Sequence, residues 1–495
     1  MLRTYKLVSV AIVLFWLVMM GFLVNREVLV ERAAPSTVAA APYDTWMGIY
    51  TRDEWGEEES IGYLHTVSER ETRDGVEGSQ YTVAFNLAAN MLSMPVELQM
   101  NGSAWIADGK GLSEFDFDVS TGNKHAMSAT GVVGDGVLSV LVSTAGSEFP
   151  FEIPLRSDVL VSGNMGTASF NFPALEIGEK LLIDTFDPLT FSSGTARIEC
   201  VGMETLLVTG EMVATKKLTT TLGGVTSTSW VTENGEVVRV ETPFGLILKK
   251  ITEAEALQVA KSPASGASLL DGISIVPSGK TPFRGARRMR VRLSGYPDIA
   301  EPPSDVLQRR LDFGLYEIRA SDFAADGVEA PAEPYLGDYL LGDAFVQVDH
   351  PRIVSQAQKI VGDIVEPLER AKRLHHWIYE NIDKIIVLSF PSALDVLESR
   401  EGDCNEHTVL FAALARTLDI PTRIAIGVVW SDELEGFYYH AWPEVYVDGW
   451  IAMDPTLGQE IADATHIKLL TGSIEAWPRL VSYLGQLQVN VLEIE

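Results

Sequence analysis

Cysteine is scarce in this sequence, and so are basic residues. Only Cys200 and Cys404 occur among 495 residues, and they lie in regions of different pattern, so no disulfide framework is expected. Lys and Arg together number 38 against 68 Asp and Glu, which gives a formal net charge of -30. This negative excess opposes binding to a phosphate backbone, so nucleic acid is excluded as a partner. The length exceeds what one hydrophobic core usually supports, and several domains are expected.

The sequence has a single long apolar run, near its start. Leu7 to Val24 carries no charge over 18 residues, close to the roughly 20 that cross a bilayer as a helix. A cleaved signal peptide is the alternative, but the small-residue site at Val38 to Ala41 lies well beyond the run. We predict a tail and uncleaved anchor at 1–25 and a tether at 26–42. The anchor makes the cytoplasmic membrane a partner, with the bulk of the chain on its periplasmic side.

Residues 43–255 alternate between polar and apolar side chains in short segments that end at glycine turns. Gly134 to Gly136 separates two such segments, and Asn234-Gly235 separates another pair, which predicts β-hairpins. We predict one large antiparallel sheet, sandwich or open half-barrel. No metal, phosphate or nucleophile motif occurs there, and Cys200 is interpreted as a small buried residue in a strand. The function of this β-rich domain stays open, with a partner in the cell envelope as one possibility.

Small and flexible residues from Ser262 to Ala267 predict a linker at 256–270. A connecting β-containing segment at 271–348 follows. Within it, Arg288 to Leu293 alternates like a strand whose basic residues share one face. This stripe is interpreted as a solvated strand face, with contact to acidic groups as the alternative.

Helical spacing replaces the strand pattern after Arg352. Apolar residues repeat through Ile364 and again beyond Pro367, which predicts two helices or one kinked helix. A further apolar-faced helix is predicted to begin at Cys404, with Asp403 as its N-cap and Glu406 completing a capping box. In a first turn the helix dipole favours a thiolate, whereas the Asp403 charge opposes it, so a base is still needed.

His440 and Asp454 lie on neighbouring predicted strands, and the turn between the strands decides whether they can meet. A two-residue turn would place them on opposite faces, because the period of a strand is two. We predict a three-residue turn from Val447 to Gly449, with Gly449 in the left-handed region, which pairs Tyr446 with Trp450. His440 and Asp454 then share a face, within reach of a side-chain hydrogen bond.

These residues predict a nucleophilic site. Cys404 would attack a carbonyl, His440 would take and return the proton, and Asp454 would orient the imidazole. The Cys404 backbone N–H is the expected oxyanion donor. Trp377 and Trp442 are candidate binding residues that could supply a second donor.

Several motifs in this region resemble the bacterial transglutaminase-like family. They are Gly402 to Cys404 with the apolar helix after it, Ile420 to Arg423, His440 to Trp442, and Asp454 to Thr456. The resemblance covers roughly Asp349 to the end of the sequence. It implies a papain-like fold and the Cys, His and Asp roles at the three positions above. One departure is Pro443, where the family usually has a β-branched residue; a proline is expected at a strand edge or beside a bulge.

The predicted fold class is therefore α+β. A transmembrane helix and a large antiparallel β domain precede a catalytic domain at 349–495, in which the helix bearing Cys404 packs on an antiparallel sheet bearing His440 and Asp454. The predicted activity is hydrolysis of an amide or peptide bond in a protein or peptide substrate through a thioester, without cofactor or metal. Cross-linking of protein glutamine is one alternative, and a non-catalytic envelope scaffold is another. A zinc site formed by Cys404, His407 and His440 is weaker, because no fourth ligand is evident.

Overall fold

The computed structural model describes the chain in ranges that share a mostly β architecture. These are residues 31–32, 42–52, 55–91, 94–122, 124–144, 147–154, 160–161, 175–187, 192–222, 224–243, 245–261, 274–296, 301–321, 336–385, 392–472, 480 and 483–495. The anchor predicted at Leu7 to Val24 lies outside them. Within these ranges, no helix is both long and apolar enough to cross a bilayer.

Most strands belong to one sheet of sixteen members, which is antiparallel except where β1 and β10 join β11. Its strands are β1 Glu31–Arg32, β2 Tyr43–Arg52, β3 Glu58–Arg73, β4 Val76–Met91, β5 Met94–Ala107, β6 Gly111–Thr121, β7 Lys124–Gly134, β8 Val137–Thr144, β9 Ser147–Pro154, β10 Leu160–Val161, β11 Lys180–Asp187, β12 Ser192–Val208, β13 Glu211–Leu222, β14 Val225–Thr232, β15 Val237–Glu241 and β16 Ile247–Ile251. The prediction of a large antiparallel sheet in this region is confirmed.

Glycine turns set the register of its hairpins. In the β7–β8 hairpin Gly134 pairs with Val137, and both Asp135 and Gly136 adopt positive φ, at 51° and 77°. Such a two-residue turn matches the right-handed twist of the flanking strands. The Asn234-Gly235 turn likewise joins β14 to β15. Both predicted hairpins are therefore confirmed.

Apart from the short pairing of β1 with β11, the sheet has one seam at which neighbouring strands are distant in sequence. From β2 to β9 and from β11 to β16, each strand pairs with the next one in the chain, whereas β16 pairs with β2. Leu248 lies opposite Ile49 at this seam, and both side chains are fully buried in one apolar cluster. That cluster also contains Cys200, as expected for a small buried residue. A second cluster lies under β4 to β9.

The rest of the described chain forms three smaller sheets and most of the helices. Its strands are β17 Ser278–Gly279, β18 Arg288–Ser294, β19 Gln308–Asp312, β20 Leu315–Arg319, β21 Asp383–Lys384, β22 Glu401–Gly402, β23 Thr422–Ser431, β24 Gly436–Tyr446, β25 Trp450–Ala452, β26 Ile467–Thr471 and β27 Gln488–Ile494. The helices are α1 Glu253–Lys261, which follows the large sheet, then α2 Pro351–Val361, α3 Pro367–Asn381, α4 Ala393–Ser399 and α5 Cys404–Thr417, with a 3₁₀ turn at Leu336–Leu340.

Strand order shows how the smaller sheets are assembled. The order is β17-β27-β18-β20-β19 in the five-stranded sheet and β25-β24-β23-β26 in the four-stranded sheet, while β21 and β22 form a short parallel pair. A single apolar cluster joins β18, β20 and β27 to the helices and to β23, β24 and β26. The predicted connecting segment and the predicted catalytic domain thus share one core.

The basic stripe on β18 contacts acidic residues rather than solvent alone. Arg290 Nε donates to Glu317 on β20 at 2.8 Å, and Arg288 pairs with Glu495 at 2.7 Å. Although burial raises the pKa of the Glu317 carboxyl, hydrogen bonds from Arg290 and Arg319 hold it below its usual value. The stripe therefore ties the strands of its own sheet together.

Proline begins both of the helices predicted after Arg352. Pro351 starts α2 and Pro367 starts α3, at the position where a helix tolerates the missing N–H. The prediction of helices here is confirmed. Just before α2, Phe345 packs against Phe149 of the large sheet, with ring centroids 4.9 Å apart. This contact joins the large sheet to the segment that leads into the helices.

Candidate active site

Cys404 occupies the first position of α5, as predicted. Asp403 accepts a hydrogen bond from the Asn405 backbone at 2.8 Å, and Glu406 accepts one from the Asp403 backbone at 2.8 Å, which completes a capping box. Gly402 is required by close approach, because a Cβ there would lie 2.1 Å from the Glu406 Cβ. The chain can therefore enter the helix directly before the thiol.

The first turn of α5 lies along the open edge of β24. Thr408 donates to the Ala441 carbonyl oxygen at 3.1 Å, and the Ala441 backbone N–H is hydrogen-bonded to the Cys404 thiol. Cys404 and Thr408 are one helical turn apart, so the helix satisfies both backbone groups of the residue that follows His440. This arrangement holds the sulfur beside the strand that carries the imidazole.

The turn between β24 and β25 has the predicted register. Tyr446 pairs with Trp450, as a three-residue connection requires. The predicted conformation of Gly449 is wrong, since Asp448 occupies the left-handed region with φ 55° and Gly449 has φ 150°. Aspartate tolerates the left-handed conformation because its side chain is short and polar. The strand alignment is unaffected by this difference.

Pro443 lies where pairing with β25 ends, as expected for a strand proline. The Met453 N–H donates to the Pro443 carbonyl oxygen at 3.0 Å, but Pro443 has no N–H to return. The chain then leaves the ladder at Asp454, whose backbone instead makes an isolated bridge with Gln459. The missing N–H of Pro443 thus lies where the strand pairing ends, just before Asp454, whose side chain must reach the His440 imidazole.

His440 and Asp454 meet directly. His440 Nε2 lies 2.8 Å from Asp454 Oδ2, and both side chains are buried. A carboxylate only accepts, so Nε2 carries the proton of this bond, and Nδ1 is the ring nitrogen that Asp454 does not engage. Proton exchange with another group would therefore use Nδ1.

A second histidine, which the sequence analysis missed, contacts the same carboxylate. His466 Nε2 lies 3.1 Å from Asp454 Oδ2, and His466 Nδ1 lies 3.1 Å from the Asp463 carbonyl oxygen. Both partners accept, so both ring nitrogens carry protons. Although burial lowers the pKa of His466, the two aspartates raise it to about 9. His466 is thus a buried imidazolium at neutral pH.

Each carboxylate oxygen of Asp454 accepts two hydrogen bonds. Its other oxygen, Oδ1, accepts from the backbones of Thr456 and Leu457 at 2.9 Å each. Burial raises the pKa of this carboxyl, but His440 and His466 together hold it well below its usual range. A third histidine, His375 on α3, donates through Nε2 to the Asp454 carbonyl oxygen at 3.0 Å. Asp454 is therefore ionised and fixed in orientation.

Candidate metal ligands in the described ranges differ from those predicted. His440, Asp454 and His466 place one ligand atom each within 4.8 Å of one another, whereas neither Cys404 nor His407 joins them. The hydrogen bonds given above account for this grouping without a cation. His407 instead bonds through Nδ1 to the Asp403 carbonyl oxygen at 2.6 Å. The cysteine-containing zinc alternative gains no support.

The two tryptophans predicted to bind substrate have different environments. Trp442 is 1% exposed and packs against His440 and His466, with centroid distances of 6.3 and 5.1 Å. Its ring supports the histidines from inside the protein. Trp377 is half-buried on α3, under the Arg400 guanidinium at 4.5 Å.

A buried group of four charges braces the sheet behind the site. Lys468 Nζ on β26 lies 2.8 Å from both oxygens of Glu444 on β24 and 2.6 Å from Asp305. Arg423 on β23 bonds the same two carboxylates, at 2.6 and 2.5 Å, so the charges balance. Although burial raises the pKa of Asp305, the two cations lower it to about 2. This group connects three strands of the four-stranded sheet to the connecting segment.

The surroundings of Cys404 favour the protonated thiol. Burial raises the pKa of Cys404 well above its usual range, and the Asp403 charge raises it further, while the Ala441 N–H opposes both. The Asp403 charge therefore raises the Cys404 pKa as predicted, and together with burial it favours the neutral thiol. Attack by this sulfur requires that a base remove its proton.

Comparison with solved structures gives distant likenesses. A proposed cysteine protease from Cytophaga hutchinsonii is 17% identical, with a TM-score of 0.27, over 45% of this chain and 86% of its own. A beta-barrel-like protein of unknown function from Brucella abortus is 13% identical, with a TM-score of 0.30, over 43% and 98%. A proposed protease from Parabacteroides distasonis is 11% identical, with a TM-score of 0.19, over 75% and 69%. At such low TM-scores these likenesses do not define the overall fold.

Sequence comparison is more specific over a shorter range. No curated protein matches the chain at a significant level. The profile of the Transglutaminase-like superfamily matches residues 354–455, a range that contains Cys404, His440 and Asp454. Residues 354–455 therefore form a transglutaminase-like domain.

Proposed function

We propose that this chain is a cysteine-dependent acyl-transfer enzyme that hydrolyses an amide or peptide bond through a thioester at Cys404. The observation that carries the proposal is the 2.8 Å contact between His440 Nε2 and Asp454 Oδ2. The residue after His440, Ala441, is hydrogen-bonded through its backbone N–H to the Cys404 thiol. This contact of His440 with Asp454 engages Nε2, so Nδ1 is the ring nitrogen of His440 that exchanges the proton with Cys404. General-base catalysis needs a group that takes the proton from the thiol as the sulfur attacks.

The reaction divides into two balanced halves. The Cys404 proton passes to His440 as sulfur bonds to the substrate carbonyl carbon, and the Cys404 backbone N–H donates to the oxyanion. The amine leaves with the proton from His440, which yields the thioester. Water then attacks, His440 takes its proton and returns it to sulfur, and the carboxylic acid departs. Asp454 stabilises the imidazolium in both halves.

Selective alkylation of the thiol tests this proposal. Iodoacetamide should label Cys404 at a rate that depends on the ionisation of His440, and His440→Ala should remove that component of the pH profile. Cys200→Ala is the matched control, because Cys200 is buried in the large sheet. The proposal fails if Cys404 labels like a free thiol across pH and Cys404→Ala leaves every measurable acyl-transfer activity unchanged.

Hydrolysis is preferred to cross-linking because no separate site for an amine donor is evident in the sequence. Both reactions share the thioester and differ in whether water or an amine resolves it. A glutamine-containing acyl peptide supplied with a fluorescent primary amine separates them. Amine incorporation that outpaces hydrolysis would assign the chain to protein cross-linking instead.

We also propose that Leu7 to Val24 anchors the chain in the cytoplasmic membrane, with the transglutaminase-like domain outside the cytoplasm. The uncharged run of 18 residues supports this location. Fractionation of cells that express the full chain, followed by protease accessibility of the domain, tests it. Recovery of a soluble full-length chain would contradict the anchor.

A further inference from the structure

One exposed cation lies beside the nucleophile in an otherwise acidic chain. Lys384 is in β21, which runs parallel to β22 and places Lys384 opposite Gly402, two residues before Cys404. The Ile385 N–H donates to the Gly402 carbonyl oxygen at 3.1 Å, which fixes this neighbour relationship. The chain holds 68 acidic and 38 basic residues, so a cation at this position is not a reflection of general composition.

Lys384 is held by an aromatic ring rather than by a carboxylate. Its Nζ lies 4.1 Å from the centroid of the Tyr379 ring, a cation–π contact. Tyr379 in turn packs on Gly458 in the loop that follows Asp454, where a Cβ would lie 2.7 Å from the ring. Across the described residues, no ion pair to Asp or Glu involves Lys384. The ammonium group is therefore positioned and still has donors to offer.

Lys384 interacts electrostatically with groups of the site. Partial desolvation of its ammonium lowers the pKa of Lys384, while attraction by Asp454 raises it. Burial also lowers the pKa of His407 on α5, and the Lys384 charge lowers it further. The cation thus lies within electrostatic reach of both the Asp454 side and the Cys404 helix.

We propose that Lys384 binds a carboxylate of the acyl substrate, close to the carbonyl that Cys404 attacks. The inference rests on the acyl-transfer function proposed above and names its substrate class. An ammonium with three donors that has no carboxylate partner within the described residues, beside the first turn of the Cys404 helix, selects for an anion and against a second cation. The carboxylate is an Asp or Glu side chain or a free peptide C-terminus.

Two alkylating reagents that differ in charge test the cation without knowledge of the substrate. Iodoacetate is anionic and iodoacetamide is neutral, so the ratio of their rates at Cys404 reports the local field. Lys384→Met should lower the iodoacetate-to-iodoacetamide ratio by roughly three- to tenfold, as expected for removal of one nearby charge. Lys384→Arg should retain the ratio.

Lys372→Met is the matched control, because Lys372 lies on α3 but is paired with Glu369 at 3.0 Å. An unchanged ratio in Lys384→Met, or an equal fall in Lys372→Met, would overturn the proposal. Labelling by iodoacetamide alone tests the acyl-transfer proposal separately, so failure of one is distinguishable from failure of the other.

Protection experiments then identify the source of the carboxylate. Peptides of matched sequence with Glu or Gln, each with a free or an amidated C-terminus, are compared as protectors of Cys404 against iodoacetamide. Preference for Glu assigns a side chain, and preference for the free terminus assigns a terminal carboxylate; in either case Lys384→Met should abolish it. Equal protection by charged peptides and their neutral twins would overturn the proposal.

Discussion

His466 donates to Asp454 through the same carboxylate oxygen that accepts from His440, at 3.1 Å. His440 and His466 therefore share Oδ2, but only His440 lies on β24, the strand beside Cys404. His466 is protonated, so the carboxylate is balanced by a buried positive charge before any proton leaves the thiol. It acts on the reaction through Asp454 and is a positioning residue.

Replacement of His466 by glutamine should lower the acylation rate and change its pH profile. The glutamine amide can still donate one hydrogen bond but has no charge, so Asp454 would attract the His440 imidazolium more strongly. We expect the midpoint of the pH dependence of Cys404 alkylation to move to higher pH in His466→Gln. A variant that loses stability but keeps the wild-type pH profile would show that His466 has only a structural role.

The same histidine makes stability depend on pH. Its folded-state pKa of about 9 lies above the ordinary value of 6.5, so its contribution is fully present below pH 6.5 and is lost as pH rises through about 9. The contribution is about 3 kcal/mol at most, at 1.36 kcal/mol per pKa unit. Urea unfolding followed by tryptophan fluorescence should show this fall between the two pH values in wild type. The fall should be smaller in His466→Gln, and an identical slope in both proteins would contradict the assignment.

Asp454→Ala should lose most acyl-transfer activity, because His440 and His466 would both lose their acceptor. Asp454→Asn retains one acceptor oxygen and should recover part of it. The expected loss for the alanine variant is on the order of 10³- to 10⁴-fold in turnover, as for aspartate in other nucleophilic triads. Equal turnover for the two variants would show that the hydrogen bond to His440 is not what matters.

Lys468→Met should destabilise the sheet that carries His440. Among the described residues it leaves Glu444 and Asp305 paired with Arg423 alone, and breaking a buried pair by removing one partner costs about 3–5 kcal/mol. Lys468→Met combined with Glu444→Gln restores the charge balance and should recover part of the loss. Unfolding in urea measures both variants, and a double variant less stable than the single one would contradict the charge-balance explanation.

Gly402→Ala should loosen the first turn of α5. The added Cβ would overlap the Glu406 side chain, at a cost of about 1–3 kcal/mol for overpacking. Hydrogen exchange at the backbone amides after Asp403 should become faster. Gly134→Ala is the control, because a Cβ there meets nothing within 4 Å. Unchanged protection in Gly402→Ala would show that the capping box absorbs the methyl group.

Short sequence patterns were sufficient to predict the structural features that depend on adjacent residues. Glycine and Asx turns predict the hairpins because these residues tolerate the positive φ that tight turns require. The capping box predicts the start of α5 from four adjacent residues. The alignment of His440 with Asp454 also follows from one short turn, although which residue in it is left-handed does not.

Contacts between distant segments were not predictable in the same way. His466 lies before β26, and β26 joins the sheet beside β23 rather than beside β25, which precedes it in the chain. Without that strand order, nothing in the sequence brings His466 to Asp454. Asp305 is similar, since its partners Arg423 and Lys468 are more than a hundred residues away. One signal of this charged group was present in the sequence. Lys468 is a charged residue within an apolar strand, and such a residue usually requires buried partners.

The seam between β2 and β16 bears on how the protein folds. On either side of it, hairpins can form one after another from neighbouring residues, with little loss of chain entropy at each step. Closing the seam joins Ile49 to Leu248 and must enclose the whole intervening chain. Since contacts of long sequence separation slow folding, we expect this closure to be the rate-limiting step of the large sheet. Substitutions at the seam should slow refolding, whereas substitutions in the outer hairpins should mainly speed unfolding.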